Sequence, residues 1–286
     1  MSKYSENTVF VFDWDDTLLP STWLKDKGVG VNYVGCTGIT SEMKEACARL
    51  EPHVGALLTA AKEYGQVFIV TNATRGWLYA SARTFLPNIA GLILSLHVIS
   101  AADIYEMYYK DPNMWKKMAF QNEVLGLAFP THPAKRTVIS IGDGEYEREA
   151  LKYIMSSAVP DSILTKSIKF MNNPSPEILM RQLTSTFREM NMIATATESF
   201  DLQWEFPSIQ LNAAPAPPVA PPPRILSVFT PFSVFGESSM PYIDTYIPPS
   251  PVEAPPPPKR ASAMPKKGRS VTPYTRYDTS KEEEKN

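Results

Sequence analysis

The sequence predicts an α/β fold in which a parallel sheet of about five strands has helices on both faces. Two observations support this prediction. Short unbroken apolar runs, such as residues 9–12 and 67–70, are typical of strands buried on both faces. The longer segments between such runs carry apolar residues at helical spacing, most clearly over residues 42–63. Strands that alternate with helices of this size favour a parallel sheet.

The elements are predicted in chain order from these patterns. The expected strands are residues 9–12, 67–70, 92–99, 137–141 and 167–170. The expected helices are residues 42–63, 75–85, a segment from 103 onward, 111–126, 145–155 and 176–191. Thr40 or Ser41 is expected to cap the first helix, and Pro52 to kink or split it. Residues 20–40 contain four glycines and are predicted to form a flexible excursion with a small hairpin.

The distribution of proline and tryptophan divides the chain. Of its 27 prolines, 18 lie in residues 207–286, and all five tryptophans lie at or before Trp204. We therefore expect a folded domain over residues 5–206 and a Pro-rich, largely disordered tail with a basic end over residues 207–286. Residues 225–247 are rich in Phe, Tyr, Ile and Val, so this stretch is expected to dock on the domain or to bind a partner.

The tail contains a motif for protein binding. Residues 255–260 read Pro-Pro-Pro-Pro-Lys-Arg, which fits the PxxPx(K/R) pattern of SH3 ligands. One interpretation is that an SH3 domain or another Pro-motif-binding protein recognises residues 213–260. The alternative is a plain linker in the extended polyproline conformation.

Charge and cysteine content limit the other partners and the compartment. The formal net charge of −2 gives no reason to expect a nucleic-acid partner. The sequence has no signal-peptide core and no apolar run of membrane-spanning length, so we expect no membrane association. The two cysteines, Cys36 and Cys47, are expected to be free thiols in a reducing compartment. Cytoplasmic localisation follows as an expectation.

Polar side chains follow three of the predicted strands. Asp13 and Asp15 come after the first strand, Thr71 and Asn72 end the second, and Asp143 follows the fourth. In open parallel sheets the site lies beyond the carboxyl ends of the strands. The sequence therefore predicts one site that combines several carboxylates, a threonine and at least one metal ion.

This set of residue types fits phosphoryl transfer. Mg²⁺ prefers oxygen ligands, which Asp13 and Asp143 would supply. One carboxylate can attack phosphorus and form an aspartyl-phosphate, and a second can act as the acid and then the base. Thr71 offers a hydroxyl group to the phosphoryl oxygens, and a lysine from the helix before the fourth strand would complete the set.

Four motifs in this order resemble the haloacid dehalogenase-like superfamily, in particular its capless phosphatases with a DxDxT signature. The motifs are Asp13-Trp-Asp-Asp-Thr17, Val67-Phe-Ile-Val-Thr-Asn72, Trp115-Lys116-Lys117 and Ser140-Ile-Gly-Asp-Gly-Glu-Tyr-Glu147. The resemblance covers residues 9–147, and the next strand and helix extend it to about 195. It departs from the family pattern at Glu147, where aspartate is commoner.

The resemblance implies a three-layer Rossmann-like sheet and a role for each motif residue. It implies that Asp13 is the nucleophile and Asp15 the acid/base. We expect Asp16 to stay outside the chemistry and Thr17 to brace the loop. The implied phosphate contacts are Thr71, Asn72, Lys116 and Gly144, with Lys117 and Lys110 as alternatives to Lys116. The implied Mg²⁺ ligands are Asp13, Asp15 through its carbonyl, Asp143 and Glu147.

Two functions remain open at this point. The first is a Mg²⁺-dependent phosphatase that acts through an aspartyl-phosphate. Residues 20–40 are too short for a helical cap, which in this family implies an open site and a large substrate such as a phosphoprotein. The second is a weakly active or inactive scaffold that keeps the fold and binds partners through its Pro-rich tail.

Overall fold

A computed structural model describes residues 3–32, 35–131, 133–159 and 162–205, and the backbone of residues 224–227. The strands are β1 (Thr8–Phe12), β2 (Gly30–Asn32), β3 (Gly35–Thr37), β4 (Gln66–Thr71), β5 (His97–Ser100), β6 (Arg136–Gly142), β7 (Ile163–Lys169), β8 (Phe200–Glu205) and β9 (Arg224–Ser227). The helices are α1 (Ser21–Asp26), α2 (Ser41–Lys62), α3 (Arg75–Phe85), α4 (Ala90–Ser95), α5 (Ala101–Tyr105), α6 (Pro112–Met118), α7 (Leu125–Ala128), α8 (Glu145–Ser157), α9 (Pro176–Arg188) and α10 (Met190–Thr195). A π-helical stretch, Ala119–Val124, joins α6 to α7. Across the described ranges, no helix combines the length and apolar character needed to cross a membrane.

The main sheet is mostly parallel and has β1 near its centre. Its order is β5-β4-β1-β6-β7-β8-β9, in which every neighbouring pair is parallel except β8 and β9. The chain leaves β1 toward β4 and β5 on one side, then crosses to β6, β7 and β8 on the other. A sheet of this kind forms a crevice at the carboxyl end of the strand where the direction reverses.

Alternate residues of β1 face two separate hydrophobic clusters. Phe10 and Phe12 belong to one cluster, with side chains from α2, α3, α9 and α10. Val9 and Val11 belong to the other, with side chains from α5, α6 and α8. All four are almost fully buried. The central strand is thus apolar on both faces because helices cover it on both, as its unbroken apolar run predicts.

Three parts of the predicted secondary structure were wrong. Residues 92–99 were expected to form one strand, but residues 90–95 form α4 and the strand begins at His97. A short apolar run carries no period that separates a buried strand from a buried helix. The strand expected at residues 167–170 starts earlier, at Ile163. Two further strands, β8 and β9, were not predicted.

The expected hairpin in residues 20–40 is present as β2 and β3, after the short helix α1. It lies against α3. The helix α2 runs continuously through Pro52 and is capped by Thr40, whose hydroxyl accepts from the Met43 N–H at 3.3 Å.

The tail lies outside the described residues except for β9. The backbone of β9 pairs antiparallel with β8, so part of the segment expected either to dock or to bind a partner docks on the sheet. The predicted disorder of the tail and its SH3 motif stay predictions.

A buried carboxylate holds the start of α4. Glu51 of α2 is only 3% exposed, and its Oε1 accepts from the backbone N–H groups of Asn88 (2.6 Å) and Ile89 (3.1 Å). Its Oε2 accepts from the Asn88 side chain at 2.7 Å. These donors precede α4 and have no partner within that helix. The carboxylate therefore satisfies them and ties α4 to α2.

We expect Glu51→Gln to lower the free energy of unfolding by about 1–3 kcal/mol. The glutamine NH₂ group would face an N–H donor of Asn88 or Ile89 and leave it without an acceptor. Urea unfolding of the full chain measures this loss. Glu45→Gln is the matched control, since Glu45 is exposed on the same helix and should change stability by less than about 0.5 kcal/mol. Equal stability of the two variants would contradict the role assigned to Glu51.

Candidate active site

The carboxyl ends of β1, β4 and β6 bring the strand-end residues together. Phe12, the last residue of β1, is in register with Ile69 of β4 and Ile141 of β6. Asp13, Thr71 and Asp143 follow these three positions by one or two residues. The structure thus assembles at one sheet edge the residues that the strand-end pattern predicted there.

The loop after β1 turns sharply and is held by its own side chains. The Asp13 N–H donates to the Ile141 carbonyl at 2.9 Å, which extends the pairing of β1 with β6 by one residue. Asp16 adopts a left-handed backbone with φ of 55°, a conformation that aspartate tolerates better than most residues. Its carboxylate accepts from the N–H and the hydroxyl of Thr22. Asp16 therefore braces this loop.

The neighbouring Thr17 had been expected to brace the loop. Its hydroxyl is buried and has no hydrogen-bond partner among the described residues. The brace therefore lies one residue earlier than predicted.

Lys116 forms the centre of the site. It is 1% exposed, and its Nζ lies 2.8 Å from Asp13 Oδ1 and is also hydrogen-bonded to Glu147 Oε1. Burial lowers the pKa of Lys116, but the two carboxylates outweigh burial and hold the pKa above its ordinary value. Lys116 thus remains an ammonium group between two buried acids.

The start of α6 explains why Lys116 reaches Asp13. Asp111 caps this helix by accepting from the Asn113 N–H at 3.0 Å, and Pro112 occupies its first turn. The Asn72 side chain donates to the Pro112 carbonyl at 3.2 Å, which ties α6 to the end of β4. In this arrangement Asn72 positions the helix that carries Lys116.

The two alternative lysines do not contact Asp13. Lys117 lies 3.8 Å from Glu149 on α8, and Lys110 is exposed in the loop before α6.

Asp15 has different partners from Asp13. Its Oδ2 accepts from the Thr71 hydroxyl at 3.4 Å, and its Oδ1 accepts from the indole N–H of Trp77 at 2.7 Å. Both donors are neutral, and Asp15 is partly exposed. The Asp13 carboxylate thus has a cationic partner, whereas the Asp15 carboxylate has only neutral ones.

The loop after β6 is shaped around Glu147. Its Oε2 accepts from the Gly144 N–H at 3.0 Å, while Oε1 is bonded to Lys116. A Cβ at position 142 would lie 2.6 Å from Glu147 Cδ, so Gly142 leaves the space that this side chain needs. Gly144 and Glu147 bond to each other in this structure, and the phosphate contact expected of Gly144 and the metal role expected of Glu147 stay predictions.

Burial and clustered carboxylates together set the electrostatics of the site. Burial raises the pKa of Asp13 well above its ordinary value, and Glu147, Asp143 and Asp15 add to this effect against the opposing charge of Lys116. The pKa of Asp143 is raised to about 7, first by burial and then by Glu147 and Asp16. A further cation near Asp13 and Asp143 would relieve this repulsion.

The donor set is suited to magnesium, because carboxylate and carbonyl oxygens are the ligands that this ion prefers. The described ranges contain no ready-made cluster of three or more His, Cys, Asp or Glu side chains in metal-binding geometry. Asp13 and Asp143 together with the Asp15 carbonyl remain the chemically appropriate ligands. Glu147 would act indirectly, through Lys116 and Gly144.

Two residues of the site were not identified from the sequence. Trp77 bonds to Asp15 across 62 positions, and no local pattern marks it. Lys169, at the end of β7, donates to the carbonyl of Asp143, to the Phe170 carbonyl at 2.8 Å and to the Asn172 side chain. A lysine that ends a buried strand is an unusual polar signal and would have indicated this contact.

The chain matches no family model, no curated protein and no solved structure.

Proposed function

We propose that the protein is a Mg²⁺-dependent phosphohydrolase that works through an aspartyl-phosphate on Asp13. The observation that carries this proposal is the contrast between two carboxylates two residues apart. Asp13 is bonded to a buried ammonium group, whereas Asp15 is bonded to a hydroxyl and an indole N–H. Different environments of this kind give paired carboxylates different roles.

In the proposed reaction Asp13 attacks phosphorus, and Asp15 gives its proton to the oxygen that leaves. Lys116 and the Thr71 hydroxyl interact with the phosphoryl oxygens. Asp15 then takes a proton from the water that hydrolyses the aspartyl-phosphate, which restores the Asp13 carboxylate and the protonated form of Asp15. Mg²⁺, held by Asp13, Asp143 and the Asp15 carbonyl, would neutralise negative charge on the phosphoryl group.

The fold and the connection after β1 support a finer proposal. We infer a three-layer Rossmann-like domain of the haloacid dehalogenase-like type, since the motif residues end adjacent parallel strands and helices pack on both faces. The connection from β1 to α2 builds a six-residue helix and a small hairpin against α3. This compact connection supports a large substrate such as a phosphoprotein. The free thiols of Cys36 and Cys47 support the proposal that the reaction takes place in the cytoplasm.

The first test is hydrolysis of p-nitrophenyl phosphate by the purified full chain. We expect turnover with Mg²⁺, loss of turnover with EDTA, and recovery when Mg²⁺ is added in excess. Ca²⁺ in place of Mg²⁺ should support little turnover, because it takes more ligands at longer distances and in a looser geometry. Absence of any Mg²⁺-dependent turnover would contradict the proposed function.

A further inference from the structure

We propose that Trp77 is a positioning residue that directs the proton of Asp15 to Oδ2, from which it reaches the leaving group. This inference rests on the proposed function and goes beyond it, because it assigns a role to a residue outside the four motifs. It also gives the two oxygens of Asp15 different roles: Oδ1 accepts from Trp77, and Oδ2 carries the proton.

The chemistry of the indole carries the first step. The Trp77 Nε1–H lies 2.7 Å from Asp15 Oδ1, and an indole N–H only donates. Oδ1 must therefore accept this hydrogen bond whether or not Asp15 carries a proton. A proton on Asp15 then belongs on Oδ2, whose partner at 3.4 Å is the Thr71 hydroxyl. A hydroxyl can rotate to accept as well as donate, so it is compatible with both states of Oδ2.

The rigidity of the indole carries the second step. The Trp77 backbone N–H donates to the capping Thr74 hydroxyl at 3.2 Å, which places Trp77 in the first turn of α3. Trp77 is only 7% exposed, and Lys25 Nζ lies 5.6 Å from the centroid of its indole ring. The donor is therefore fixed before substrate arrives.

The same helix also holds the residue between the two carboxylates. The indole N–H of the fully buried Trp14 donates to Ser81 Oγ at 3.1 Å, and Ser81 Oγ donates to the Trp77 carbonyl at 2.7 Å. Two tryptophans thus attach the loop to α3, one behind Asp13 and Asp15 and one directly on Asp15. This double attachment sets the direction in which Oδ2 points.

Proton delivery then has a defined route. The bond between phosphorus and the leaving oxygen breaks as Asp13 bonds to phosphorus, and the Oδ2 proton moves to that oxygen. In the second half-reaction Oδ2 takes a proton from the attacking water. Oδ1 keeps its bond to Trp77 throughout, so the carboxyl group does not rotate between the two steps.

The test uses the full chain and two substrates that differ in their need for a proton. Benzyl phosphate releases a basic alkoxide unless it is protonated, whereas p-nitrophenyl phosphate releases a stable phenolate. For Trp77→Phe we expect kcat/KM on benzyl phosphate to fall about tenfold or more, with a change below about threefold on p-nitrophenyl phosphate. Trp23→Phe is the matched control, since Trp23 is a partly buried tryptophan on α1 with Lys27 over its ring, and it should change neither value.

A double-variant cycle separates positioning from general damage to the fold. Once Asp15 is replaced by Asn, adding Trp77→Phe should cost no further activity on benzyl phosphate, because both changes remove the same proton transfer. In nuclear magnetic resonance spectra, the indole N–H signal of Trp77 should move upfield in Asp15→Ala while that of Trp23 stays in place.

The outcomes distinguish the two proposals. A wild-type chain without Mg²⁺-dependent hydrolysis would overturn the proposed function and this inference with it. A wild-type chain that hydrolyses both substrates, with Trp77→Phe losing equally on both or losing further in the Asp15→Asn background, would overturn this inference alone.

Discussion

Asp13→Asn should lower the hydrolysis of p-nitrophenyl phosphate by about a thousandfold or more, because it removes the proposed nucleophile without changing the size of the side chain. Lys116 keeps its bond to Glu147 in this variant, so the fold should survive. Acid-quenched wild-type chain incubated with a radiolabelled substrate should carry covalent phosphate, and the variant should carry none. Steady-state kinetics and this labelling measure the same step independently.

The matched control for Asp13→Asn is Asp26→Asn. Asp26 is exposed at the end of α1, so the substitution repeats the chemical change outside the site. We expect kcat/KM within about twofold of wild type, as for most surface changes away from a site. Turnover by Asp13→Asn at the wild-type rate would show that another group attacks phosphorus.

Lys116→Met should lower the free energy of unfolding by about 3–5 kcal/mol, the usual cost of removing one partner from a buried ionic cluster. The variant leaves the buried carboxylates of Asp13 and Glu147 facing each other without the ammonium group between them. Urea unfolding measures the loss. Phosphatase activity should disappear as well, since Lys116 is proposed to contact the phosphoryl group.

Two further variants make this stability prediction specific. Lys117→Met removes the next lysine, whose Nζ lies 3.8 Å from Glu149 Oε2 near the surface. This substitution should lower the free energy of unfolding by less than about 1 kcal/mol. Adding Glu147→Gln to Lys116→Met should restore part of the lost stability, because it removes one of the two repelling charges. If Lys116→Met were as stable as Lys117→Met, the buried cluster would not have the role assigned to it.

Much of the site could be predicted because its residues lie where strands end. A buried parallel strand and the polar residue after it are both local in sequence, so Asp13, Thr71 and Asp143 could be assigned to one edge before any coordinates. Lys116 was harder to identify, since three lysines lie within eight residues. The cap at Asp111 and the tie from Asn72 help to fix the helix on which Lys116 faces Asp13.

The missed features depend on contacts that are distant in sequence or on a weak local signal. The apolar residues of α4 are equally compatible with a strand. The helix is favoured by the carboxylate of Glu51, about 40 positions earlier, which accepts from the backbone N–H groups of Asn88 and Ile89 at the start of α4. Strand β8 does alternate apolar and polar residues over Phe200–Glu205, so its pattern was present but short. Trp77 had no such signal, because its hydrogen bond joins two segments through the fold alone.

The missing side chain at Gly142 limits which residues can be substituted at positions 142 and 147. Glu147 fills the volume that any side chain at position 142 would occupy, and it reaches Lys116 through that volume. Positions 142 and 147 should therefore evolve as a pair: a larger residue at 142 should be found only with a shorter one at 147. A shorter residue at position 147 would also move the ammonium group of Lys116, which Glu147 now contacts. Related chains that covary at these two positions should therefore differ in the charges that surround Asp13.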